Sequence, residues 1–155
     1  MSGVAGFMEV SGISIAADTT ETLIQLLAGV NHPIKILGWS VGFNSVAAAD
    51  EPIGVQLLIQ TTAGTAAGST TIRQRDRTQS VTFDTTGAVG NYSAEPTPSD
   101  QFPVKMIHPS SGYEIWYPEK KGIIVASAER IGLRVLPGAL NVALDQVTAS
   151  LDFEE

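Results

Sequence analysis

The sequence has no cysteine, and its 155 residues include only nine Lys and Arg, sixteen Asp and Glu, and two His. Without cysteine there is neither a disulfide framework nor a thiolate metal site, and the redox compartment stays undetermined. Cations this sparse, in a chain of net charge −7, exclude the clustered Lys and Arg that neutralise a nucleic-acid backbone, so direct nucleic-acid binding is not expected. The same acidic balance suits an anionic membrane surface poorly. Long apolar runs are missing too, and none approaches the roughly 20 residues of a membrane-spanning helix. Met1–Gly12 offers no positive region and no long apolar stretch, so a secretory signal is not expected. Charged residues make up 16% of the chain, against about a quarter in ordinary soluble domains. Ala, Gly, Ser and Thr fill the gap, which suits a surface partly hidden in an assembly.

What the chain does have is alternation. In Gly112–Pro137 (GYEIWYPEKKGIIVASAERIGLRVLP), Tyr113, Ile115 and Tyr117 share one face and Glu114 and Trp116 the other. A turn at Pro118–Gly122 precedes a second run, Ile123–Ala126, and a third run places Ile131, Leu133 and Val135 together. Period two between Pro, Gly and charged turns predicts antiparallel strands with one buried face. Lys35–Asn44 repeats the pattern, with Leu37, Trp39, Val41 and Phe43 opposite Ile36, Gly38, Ser40 and Gly42. A face that small fits beneath a loop or a neighbouring subunit. Ile53–Thr61, Thr71–Phe83, Val104–His108 and Asn141–Phe153 read as further strands, and Thr22–Leu27 as a strand in preference to a helical turn with Asp18, Thr19 or Thr20 as its N-cap. Ser45–Pro52 and Thr61–Thr71 read as a loop and a hairpin tip, and Thr85–Pro103 as a long contact-making loop with room for a short strand. Eight to ten short strands without a long helix predict an all-β fold, an antiparallel β-sandwich of jelly-roll type. Residues 1–15 are expected to be a flexible arm or edge strand, and 16–155 a single sandwich domain.

Candidate chemistry is thin. Gly38-Trp39-Ser40-Val41-Gly42 matches the G-x-S-x-G nucleophile elbow, and Asp84 or Asp100 followed by His108 would complete the chain order of a hydrolase triad. The elbow needs a sharp strand-to-helix turn, whereas alternation runs straight through Ser40, so a plain strand is the better reading. His32 and His108 each precede a proline and form no ligand pair, and Asp50-Glu51 and Glu154-Glu155 diverge on a strand. No catalytic residue, metal or cofactor is expected. Tyr113, Trp116 and Tyr117 could offer a sugar-stacking platform on one side at most, as in a β-sandwich carbohydrate-binding module; core packing is their default. Arg73, Arg75 and Arg77 would form a cationic stripe facing acidic groups of a protein partner or simply solvent. With Phe7 and Met8, which would anchor the N-terminal segment, they are the candidate protein-contact residues.

The run IHPSSGYEIWYPEKKGIIVASAERIGLRV from Ile107, the Asn141-Val142 pair and the last strand ending in Leu151–Glu155 resemble small head proteins of tailed bacteriophages, the capsid decoration or cement proteins. Pro33–Phe43 and QLLIQTTAGTAAG from Gln56 share in the likeness, which covers most of residues 20–155. The resemblance implies a jelly roll related in shape to tumour-necrosis-factor-like trimers. It implies a homotrimer on the outer surface of the virion that clamps neighbouring subunits of the major capsid protein. The first residues carry none of the likeness.

Overall fold

The computed structural model describes residues 3–43, 52–78, 80–136 and 143–155, so the Asn141-Val142 pair and all of the expected loop Ser45–Pro52 except Pro52 lie outside the described residues. Twelve strands and no helix are found among them. One sheet has the order β10 (Ile123–Val125), β3 (Ile34–Gly42), β12 (Leu144–Glu154), β1 (Ala5–Ile15), β5 (Arg73–Gln74). The other runs β6 (Thr86–Val89), β2 (Glu21–Leu27), β11 (Arg130–Leu136), β4 (Ile53–Gln60), β7 (Pro98–Gln101). β9 (Tyr113–Trp116) also pairs with β3, and β8 (Lys105–Ile107) with β4. All pairings are antiparallel. The chain passes from one sheet to the other at every step from β1 to β6, again from β8 to β9, and twice more between β10 and β12, so that the two sheets of the sandwich are interleaved in sequence.

The core lies between the sheets. Met8, Val147, Leu151 and Phe153 of the first meet Leu23, Ile24, Leu57, Ile131 and Leu133 of the second, all essentially inaccessible to water. Removing such side chains from water is the main favourable contribution to the fold. The first strand is no loose arm: β1 pairs with β12 from Ala5 to Ile15, with irregularities beyond Val10.

Two details differ from simple alternation. In β3, Ile36 pairs with Phe153 and Gly38 with Asp152, so Leu37 is an extra residue, a β-bulge. The bulge reverses parity, and the buried set becomes Ile34, Ile36, Trp39 and Val41 while Leu37 is half-exposed. Gly112–Pro137 is likewise not a three-stranded meander. β10 and β9 lie end to end along β3, whereas β11 belongs to the opposite sheet. The edge of β4 is divided in the same manner between β8 and β7. Pro103 and Pro118 stand in the two interruptions, where a residue without an N–H cannot continue a ladder.

Candidate protein-contact surfaces

On the outer face of the first sheet the arginine stripe is shorter than its spacing suggests, because the polar run Thr71–Phe83 yields only the two-residue β5, opposite Phe7 and Gly6. Arg73 Nη1 lies 2.8 Å from Glu9 Oε1. The Arg75 guanidinium pairs with Asp152, its Nε donating at 2.9 Å to Oδ1. The same guanidinium sits 4.8 Å from the Trp116 ring centroid and 5.7 Å from that of Phe7, within cation–π range of both. Arg77 lies beyond the strand and is exposed, beside the turn in which Asp76 accepts from Thr78. Arg73 and Arg75 are therefore matched by carboxylates of their own chain. Asp152 is buried, and burial raises its carboxyl above the usual range, partly offset by the Arg75 hydrogen bond and charge.

Phe7 lies half-buried beneath Arg75, but Met8 points the other way, into the core, where a partner has no access to it. Period two dictates this division, since adjacent residues of one strand cannot both face outward.

The small face of β3 has an internal occupant. A Cβ on Gly38 would stand 2.5 Å from the Ile115 carbonyl oxygen and 3.1 Å from two atoms of the Trp116 ring, so the indole lies directly over this glycine. Trp116 thus lies over the sheet with Arg75 against its ring, and it remains 48% exposed. Tyr113 packs with Trp39 at 5.2 Å between centroids, and Tyr117 accepts a hydrogen bond from Trp39 Nε1 at 3.2 Å. Ser40 lies mid-strand with its Oγ 2.7 Å from Ser150 Oγ, and the turn that a nucleophile elbow requires is absent at this position. His32 Nδ1 lies 3.6 Å from Asp84 and 4.0 Å from Glu155, and His108 closes a turn through Ser110.

The second sheet carries on its outer face a buried polar layer that alternation does not reveal. Thr22, Gln25, Gln56, Gln60 and Arg134 are all at least nine-tenths buried. Gln25 Nε2 donates to Gln60 Oε1 at 2.7 Å, and Gln60 Nε2 donates to Thr22 Oγ1 at 3.2 Å. The segment around Tyr92–Glu95 is tied to β2 from both sides. The Tyr92 amide donates to Glu21 at 2.6 Å, while the Thr22 amide and hydroxyl donate to Glu95 at 3.0 and 2.6 Å. The signal for this layer was glutamines recurring on the outward side of apolar strands, and period two cannot tell such residues from solvated ones.

The open side of the sandwich is different in character. Along β8 and β10 the outward side chains are apolar: Met106 is 63% exposed, Ile124 73%, and neighbouring Val104 43%. Their inward neighbours Lys105 and Ile123 line a cavity of about 230 Å³ between the sheets, with Trp39, Leu57, Phe102, Ile115 and Tyr117. Alternation puts Val104 and Met106 on the outer face of the second sheet and Ile124 on that of the first, so these apolar side chains flank the two interrupted edges from opposite faces, and Val30 and Trp116 are exposed as well, at 74% and 48%. Comparison with protein families, with curated proteins and with solved structures finds no match for this chain.

Proposed function

We propose that this chain is a structural protein of a tailed-phage virion, a decoration protein that binds the outer capsid surface as a homotrimer and stabilises it. The observation that supports the reading best is the pair of interrupted edges at β8 and β10, beside which Met106, Val104 and Ile124 are held in water by the isolated chain. Burying such side chains against a neighbouring copy is favourable by about 25 cal/mol per Å² of apolar area, and it would close two edges that otherwise invite uncontrolled pairing. A charged fraction of only 16% fits a chain whose surface is shared with others. Repeated around a closed shell, individually weak contacts to the major capsid protein add to a large stabilisation. The resemblance of Ile107–Val135 to decoration proteins supplies the capsid as partner. The test is to add purified protein to expanded, undecorated heads of the source phage. Co-sedimentation with a raised heat or chaotrope resistance supports the reading, and heads that neither bind the protein nor gain resistance contradict it.

A further inference from the structure

The cavity on the open side is a formed site with a definite chemical bias. It arises where both edge strands are interrupted, β7 from β8 at Phe102–Val104 and β9 from β10 at Tyr117–Gly122, so that neither sheet is closed at that level. Its floor is Trp39 and Leu57, both nearly inaccessible, and its walls include Phe102 and Ile115. At about 230 Å³ it exceeds the roughly 150 Å³ that suffices for a benzene ring, leaving room for a short chain beyond the ring.

Among the described residues two charged or hydroxyl-bearing side chains border it, Lys105 and Tyr117, and both can donate. The Lys105 ammonium has three N–H groups and no acceptor, and among the described residues no carboxylate lies within ion-pair distance of it. The Tyr117 oxygen already accepts from Trp39 Nε1, which leaves its O–H to donate. Burial pushes the Tyr117 hydroxyl above its ordinary range, so it keeps its proton at neutral pH. A neutral alcohol can accept from either donor but leaves the ammonium uncompensated, whereas a carboxylate accepts from both in charge-assisted hydrogen bonds and compensates it. Ligand sites in proteins commonly have this form, apolar walls with a few converging polar groups.

We infer that this cavity binds a small aromatic carboxylate, the ring lying on Trp39 and Leu57 between Phe102 and Ile115 and the carboxylate meeting Lys105 and Tyr117. The inference is argued from the lining of the cavity and not from the capsid role, although the cavity opens between the two edges that the proposed trimer would close.

3-Phenylpropanoate and its neutral counterpart 3-phenylpropan-1-ol serve as probes, titrated into the full chain by calorimetry and heteronuclear NMR. The acid should bind about tenfold or more tightly than the alcohol, with shifts centred on the Trp39 indole and the Ile115 and Phe102 amides. Lys105→Met should abolish that preference while the alcohol still binds, which also shows that the variant is folded; Tyr117→Phe should reduce it in part. No saturable binding of the acid, equal affinity for acid and alcohol, a preference that survives Lys105→Met, or shifts mapping elsewhere would each overturn the inference. Oligomeric state, measured in parallel, reports on the docking surface independently.

Discussion

Arg134 is the residue whose position the fold explains least comfortably. It is only 9% exposed, its side chain makes no hydrogen bond among the described residues, and its Nε is buried without a partner. Burial lowers its pKa, opposed by the charge of Glu95, whose own oxygens are engaged by Thr22. A largely buried guanidinium whose Nε has no partner is a net liability, and an apolar side chain of similar length removes it. Arg134→Met should therefore stabilise the isolated chain by about 1–4 kcal/mol, read as a higher urea midpoint. Gly132 presents the opposite case. A Cβ there would lie 2.5 Å from Gln60 Oε1, the atom that accepts from Gln25, so the bare backbone is what lets the Gln25–Gln60 bond cross the sheet. Gly132→Ala should displace Gln60 and lose about 1–3 kcal/mol, the penalty of buried polar atoms left without partners. An unchanged midpoint would show that Gln60 finds another place.

Among the elements, the tie between β2 and Tyr92–Glu95 is the most sensitive to pH. Burial raises the Glu21 carboxyl above its usual range, the Tyr92 amide opposing this and the Glu95 charge adding to it. A carboxyl with a raised folded pKa binds its proton more tightly when folded. Its ionisation therefore destabilises the fold above the folded pKa, and the penalty vanishes below the unfolded value of about 4.3. Glu155 behaves in the reverse sense: burial would raise it, but hydrogen bonds from Thr85 and Asp84 and the neighbouring His32 outweigh burial and lower it. Its contribution is present above about pH 4.3 and is lost as pH falls through the lower folded value. Urea unfolding should thus find Glu21→Gln more stable than the parent near neutral pH and equal to it in acid. Glu155→Gln should be weaker near neutral pH and converge with the parent in acid. Parallel curves at every pH would contradict both assignments. Glu95→Ala should release the segment from β2, seen as faster exchange of the Thr22 amide with little change at Leu133.

Strand existence was legible because period two survives in Ile131, Leu133 and Val135 and in Val147, Ala149, Leu151 and Phe153. The bulge at Leu37 was not, since a single extra residue leaves the local pattern intact and shows only against Asp152 and Phe153 of another strand. Short edge strands escaped for a related reason. β6 and β7, of four residues each, lie in the Thr85–Pro103 stretch and are fixed by pairing with β2 and β4 rather than by their own composition. Arg73 and Arg75 were recognisable as a cationic pair. Their neutralisation by Glu9 and Asp152 depends on a register between segments more than sixty residues apart.

For the whole molecule, the two faces and the open side divide the work. The outer face of the first sheet satisfies its own charges, much of the outer face of the second is covered by polar side chains and the Tyr92–Glu95 segment, and the interrupted edges keep Met106, Val104 and Ile124 in water. The proposed trimer would use the last of these, as a contact of one kind repeated head to tail, which closes as a ring when three such rotations complete a full turn. The mass of the purified protein in solution, by light scattering across a concentration series, tests this most directly. The account predicts a trimer that dissociates when Met106 and Ile124 are both replaced by Glu, with the strand signature of the fold retained. A strict monomer at the highest concentration, or a trimer indifferent to both substitutions, would contradict it.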